Sequence, residues 1–309
     1  MRTALFGYLL VAGAGCLAAT PTKALPFFFS TGNPDGRIAT ASRPDTAPPG
    51  APSNEIESAD DFVLTSPTSI TSATFTGLLT GGATQSDIGQ VVVEIYEVFP
   101  NLSDISRTSG PPTFSTSQVP TRVNSPSDVE LEDRNSLSGN LTFSAADLGP
   151  FTVANSVLPG GIHPLPNQTT GGNGAVTGEE VEFDVDFTAP FALQPGHYFF
   201  VPQVEITDPA DEFLWLSAPR PIVPPGTPFP AGFADLQSWT RDAALEPDWL
   251  RVGSDIVGPT PATGPTFNAT FSLTGTAIPE PTSLSLLGVA IAGMGLLGWR
   301  GRRSISEAG

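Results

Sequence analysis

The chain has 309 residues, 39% of them hydrophobic, which is enough to bury a core and excludes a purely disordered tail. Only 14% are charged, while glycine and proline together exceed a fifth, so the polar surface is made of hydroxyls and turns and favours β-structure over helical packing. Between Leu25 and Ala277, eight arginines, no lysine and 29 acids leave a charge of about −21, which would repel nucleic acid and excludes it as a partner.

In chain order, the N-terminus is first. Arg2, the apolar stretch Ala4 to Ala19 and the small-residue ending at Ala24 have the three parts of a secretory signal, which predicts cleavage after Ala24, with Ala19 as a second choice. The only cysteine, Cys16, lies inside this segment and would be acylated in a lipoprotein, but Gly13 stands where such sites usually place leucine. The body from Leu25 therefore has no disulfide, thiolate nucleophile or cysteine-based zinc site.

Strand signals then recur. They are "DFVLT" (Asp61 to Thr65), "ITSATFTGLL" (Ile70 to Leu79), "VVVEIYEVF" (Val91 to Phe99) and "LTFSA" (Leu141 to Ala145). In "EEVEFDVDF", Val181, Phe183, Val185 and Phe187 share one face while Glu180, Glu182, Asp184 and Asp186 share the other, which predicts a strand with an acidic, solvated side. "HYFFVPQVEI", "EFLWLSA", "DWLRVG" (Asp248 to Gly253) and "FNATFSLTGT" (Phe267 to Thr276) follow. Around nine strands separated by long Pro/Gly-rich loops predict a mainly β body, an antiparallel sandwich or jelly roll over residues 25–276. Helical periodicity is absent beyond a turn near Asp242 to Glu246. Four loops, at 43–55, 108–128, 158–178 and 218–233, have the composition of irregular chain and are where binding is expected.

Catalytic signals are weak. His163 and His197 are the only histidines, no G-x-S-x-G elbow or H-E-x-x-H occurs, and "GGNGAVTG" lacks the spacing of a phosphate loop. No catalytic residue is assigned and the chain is not expected to be an enzyme; a secreted hydrolase is the remoter alternative. No cofactor is expected, although Asp208, Asp211 and Glu212 form the best calcium-binding loop. Trp215 and Trp239 are the rings that would stack on a glycan in a lectin-like module, while alternation places Phe213 with Trp215 on one face, as a core would.

The C-terminal segment 277–309 has its own grammar. Pro279 and Pro281 fix the start of an uncharged stretch, Thr282 to Trp299, that would span about 27 Å as a helix, close to the roughly 30 Å of a hydrocarbon core. Arg300, Arg302 and Arg303 then stop transfer on the cytoplasmic side. The sequence Pro279-Glu280-Pro281, apolar helix and arginine cluster resembles the PEP-CTERM sorting tail of Gram-negative bacteria. That resemblance implies an exosortase and the secretion machinery as partners, transient anchoring in the inner membrane, and delivery to the cell surface or extracellular matrix. It also implies an exopolysaccharide setting and a structural or interaction role. "STGNPDGRIATASRP", "ESADDFVL" and "FLWLSAPRP" resemble β-rich body domains attached to such tails, which implies one domain over most of the body and transfers no site.

Overall fold

The computed structural model describes residues 24–105, 124–162, 169–245, 249–258 and 265–279. The signal segment before Ala24, His163, most of the 108–128 loop, and the expected helix 282–299 with Glu280, Pro281, Arg300, Arg302 and Arg303 lie outside the described residues.

The described chain is mainly β and forms two open sheets. In the nine-stranded sheet, β4 (Thr68–Leu79) is the axis. One edge of β4 pairs with β9 (Val176–Leu193), which in turn pairs with β7 (Leu141–Val153). The other edge is shared. Its first part takes β15 (Phe271–Ala277), beyond which lies β1 (Pro26–Ser30). Its last three residues take β11 (Phe213–Ala218), which also pairs with β2 (Ile38–Ala41) and β14 (Asn268–Ala269); β2 then pairs in parallel with β8 (Asn155–Val157). Gly77 makes this sharing sterically feasible, because a Cβ there would lie 2.1 Å from the Phe213 ring and 2.8 Å from the Leu214 carbonyl.

The six-stranded sheet is all antiparallel, in the order β13 (Leu250–Arg251), β12 (Trp239–Asp242), β3 (Ile56–Leu64), β10 (Gly196–Ile206), β5 (Ile88–Glu97) and β6 (Glu132–Asn135). Alternation assigns its faces. Phe62, Val91, Val93, Ile95, Phe200 and Val204 join Phe75, Phe183, Trp215 and Phe271 of the larger sheet in one core. Phe75 stacks on Phe183 at 4.8 Å within its sheet, and Phe200 stacks on Phe271 at 5.0 Å between the two sheets. Each such ring contributes about 1.5–3 kcal/mol by burial alone.

Several sequence expectations change in detail. Only Leu250 and Arg251 of "DWLRVG" are strand; from Val252 to Val257 the chain makes a π-helical turn, held where the Asp255 carboxylate accepts the Arg251 amide at 2.7 Å. The predicted turn after Asp242 is a short 3-10 turn, Ala243–Leu245. Strands β1, β2, β6, β8 and β12 are additional to those the sequence suggested. The loop at 218–233 packs onto the body: Thr227 N–H bonds the Ser30 carbonyl at 2.7 Å and Phe229 meets Phe29 edge to face.

Candidate functional site

The ends of the body come together. Pairing of β1 with β15 sets Pro26 opposite Thr276, Ala277 N–H bonds the Leu25 carbonyl at 2.8 Å, and Ile278 N–H bonds the Pro67 carbonyl at 2.7 Å. The chain therefore enters and leaves the sheet at one place, with Ala24 and Pro279 both exposed beside it. Leu25–Ile278 form one of two units into which the chain divides; the other comprises Met1–Ala24 and Pro279–Gly309.

A second region is the outer face of the nine-stranded sheet. Register sets Ser144, Asp184, Thr74, Ser272 and Ser30 in one row across five strands, and Thr142, Asp186, Ser72, Thr274 and Phe28 in the next. This is the solvated side predicted for Glu180, Glu182, Asp184 and Asp186: all four are exposed or half-buried. Where β1, β4, β9 and β15 meet the turn at 32–34, the face dips into a trough of about 470 Å³. Phe28, Thr74, Thr76, Glu180, Glu182 and Ser272 contribute to its walls, with Leu148 and Pro225 at the rim. Phe28 is 58% exposed and Leu148 55%. Burial and the neighbouring Glu182 charge raise the pKa of Glu180.

The acids of "ESADDFVL" serve a different purpose. Consecutive residues of a strand face opposite ways, so Asp60 and Asp61 bond different partners, although the Asp61 charge adds to burial in holding Asp60 well above the usual carboxylate range. Asp60 points between the sheets and accepts the Ala269 amide at 2.8 Å, fastening β14. Asp61 points outward, where it accepts the Leu236 amide at 3.0 Å and meets His197 Nε2 at 2.5 Å. Burial pushes Asp61 up to about 6, against the pull of the hydrogen bond and charge of His197. The imidazole lies among Phe229 and Phe233, at 6.0 and 5.9 Å between ring centres. This arrangement ties the 229–236 segment to β3 and β10; the sequence marks His197 as one of two histidines but has no signal for its pairing with Asp61.

Farther along the same outer face, Glu57 is buried beneath Arg241. The guanidinium bonds both Glu57 carboxylate oxygens, the Tyr96 hydroxyl at 3.0 Å and the Asp128 carbonyl at 3.1 Å, and lies 4.5 Å over the Trp249 ring. Tyr96 donates to Glu57 at 2.6 Å. Two further acids, Glu55 and Glu94, sit in this cluster: burial first, then the Glu57 charge, pushes Glu55 up to about 7 and holds Glu94 well above the usual carboxylate range.

The residues expected to bind metal and glycan have other partners in the structure. Asp208 turns its carboxylate back to the Ala210 amide at 3.0 Å, Asp211 leans over Gly81, and Glu212 is paired with Arg43. Their oxygens are thus directed to separate partners. Among the described residues, no group of three or more His, Cys, Asp or Glu converges as a metal site. Trp215 is 1% exposed in the shared core, with its indole N–H bonded to the Thr270 carbonyl at 2.8 Å, and Trp239 is 0% exposed. Neither ring offers a face to a sugar, because loop and strand segments cover the sides on which they lie.

Residues 277–303 match the family model of the PEP-CTERM protein-sorting motif, so the chain carries that motif. The match begins at Ala277, the last residue of β15, and continues beyond the described residues. The motif marks a secreted protein sorted by an exosortase, of the Gram-negative bacterial type and transiently anchored in the membrane. Comparison with curated proteins and with solved structures finds no match. Among the described residues, no helix is long and apolar enough to cross a membrane.

Proposed function

We propose that this chain is a surface or extracellular-matrix protein with a structural or interaction role, held in the inner membrane by residues 282–299 until an exosortase processes the tail. Signal cleavage after Ala24 frees the other end. The observation that carries the proposal is the sorting motif starting where the last strand stops. Backbone bonding reaches Ile278 and Pro279 is exposed, so a protease acting from Pro279 onward leaves the sheet intact. The aromatic core shared by the two sheets supports a β-sandwich of jelly-roll type, and the body acts as a non-catalytic module.

Mass spectrometry of protein released from the cell surface tests this. The expected product begins at Leu25 and ends near Pro279-Glu280-Pro281. Recovery of Trp299 to Gly309 on the surface-released protein overturns tail removal, and an intact Met1 to Ala24 overturns the signal cleavage.

A further inference from the structure

We propose that the trough on the outer face of the nine-stranded sheet binds a cationic glycan, a chain of hexosamine units whose amines are free. This deepens the interaction role proposed above by naming its site and ligand class. The trough's volume, about 470 Å³, lies within the roughly 300–1,000 Å³ of small-ligand clefts. Its lining chemistry selects the occupant. Ser30, Thr74, Thr76 and Ser272 line it with hydroxyls; Thr74 and Ser272 bond each other at 2.7 Å and Ser30 accepts the Gly32 amide at 3.1 Å, and since a hydroxyl both donates and accepts, each keeps a further position for a sugar hydroxyl. Phe28, Leu148 and Pro225 provide apolar surface for the C–H face of a pyranose ring, and Phe28 is held exposed by its place on β1 rather than buried as its neighbour Phe29 is.

Charge decides between kinds of glycan. Glu180 and Glu182 line the trough, Asp184 and Asp186 continue the row, and no arginine lines the trough. None of the four carboxylates makes an ion pair or side-chain hydrogen bond among the described residues. An anionic polysaccharide would meet uncompensated repulsion there, whereas a protonated sugar amine would supply the missing cation to the Glu180 and Glu182 pair. Burial first, and then the charge of Glu182, raises the pKa of Glu180.

The test uses the full-length chain in detergent micelles, so that its outcome does not depend on whether the tail is processed. Isothermal titration is run with a β-1,4-glucosamine hexamer, its fully N-acetylated counterpart and an oligouronate. The glucosamine oligomer is expected to bind, the acetylated one at least tenfold more weakly, and the oligouronate not at all. Glu182→Gln and Phe28→Ala should each weaken binding about tenfold, while Asp133→Asn, which removes one charge from an exposed position on β6, should leave it unchanged. Equal binding of the free and acetylated oligomers overturns the choice of a cationic ligand. Equal weakening by Glu182→Gln and Asp133→Asn reduces the effect to the net charge of the body and overturns the site. No binding at all overturns the inference while leaving the sorting proposal, which is read from the processed termini, standing.

Discussion

The outer faces of the two sheets carry the same kind of residue and treat it in opposite ways. On the six-stranded sheet, Glu57 has both oxygens bonded by Arg241 and Tyr96, Glu55 accepts the Gln203 amide, and Glu94 is buried near them. On the nine-stranded sheet, Glu180, Glu182, Asp184 and Asp186 stand in a row on an open surface with no cation on them. Water solvates the second set at little cost, whereas the first set, removed from water, must be paired or protonated. The meaning of an acid on a strand is therefore set by whether other side chains cover that face: Leu236 and Trp249 pack on the outer face of the six-stranded sheet, whereas the row on the nine-stranded sheet stays open to water.

Breaking the covered face should have the largest effect. Arg241→Ala leaves Glu57 buried without its cation and removes the guanidinium that spans the Trp249 and Tyr96 rings. Loss of one partner of a buried pair costs about 3–5 kcal/mol, measured by denaturant unfolding. A loss under about 1 kcal/mol would mean that the roof is open in solution and that the two faces do not differ.

The next effect is a pH dependence confined to the covered face. Glu55 is pushed from 4.5 to about 7 by burial, by Glu57 and, more weakly, by Asp45, against the Gln203 amide and Arg241. A carboxyl whose folded pKa is raised binds its proton more tightly in the native state. Its contribution is complete below the unfolded pKa, and is lost as pH rises through the folded value. Stability should thus fall between about pH 4.5 and 7, with about 3 kcal/mol of the change assignable to Glu55. Glu55→Gln keeps the hydrogen-bonding shape and removes the titration, so its unfolding free energy should vary less over this range by that amount. An unchanged slope in the variant would assign the dependence elsewhere, Asp61 being the next group, raised to about 6.

The contrast between the faces also marks what the sequence discloses. The alternation of Val181, Phe183, Val185 and Phe187 with acids describes the middle of β9, because one side packs on the core and the other meets water; the strand runs on to Phe191 and Leu193 past an irregularity in its pairing with β4. Trp239 follows the same period, yet alternation gives the side a residue takes and not whether a distant segment roofs it; the roof depends on Leu236 and Trp249. Glu132–Asn135 form β6 with no apolar residue at all, so their pairing with Val92 to Ile95 is set by tertiary contact and leaves no periodic signal. Asp60 and Asp61 stand side by side in the sequence. Their opposite directions follow from strand geometry, but their partners, Ala269 and His197, are 209 and 136 residues away in sequence.

The smallest effect belongs to the open face and is the most discriminating for that reason. Glu182→Gln and Asp184→Asn remove charges that make no pair, so each should alter unfolding free energy by no more than about 0.5 kcal/mol. The sign should be neutral or stabilising, since each substitution relieves repulsion along a row whose Cα atoms at alternate positions are only about 6.6–7 Å apart. Added salt should erase the gain by screening the row, which is exposed to solvent. A destabilisation above 1 kcal/mol would show that these carboxylates hold the fold together. It would remove the basis for treating the face as a surface kept free for a ligand, because a group that the fold needs is not available to a partner at no cost.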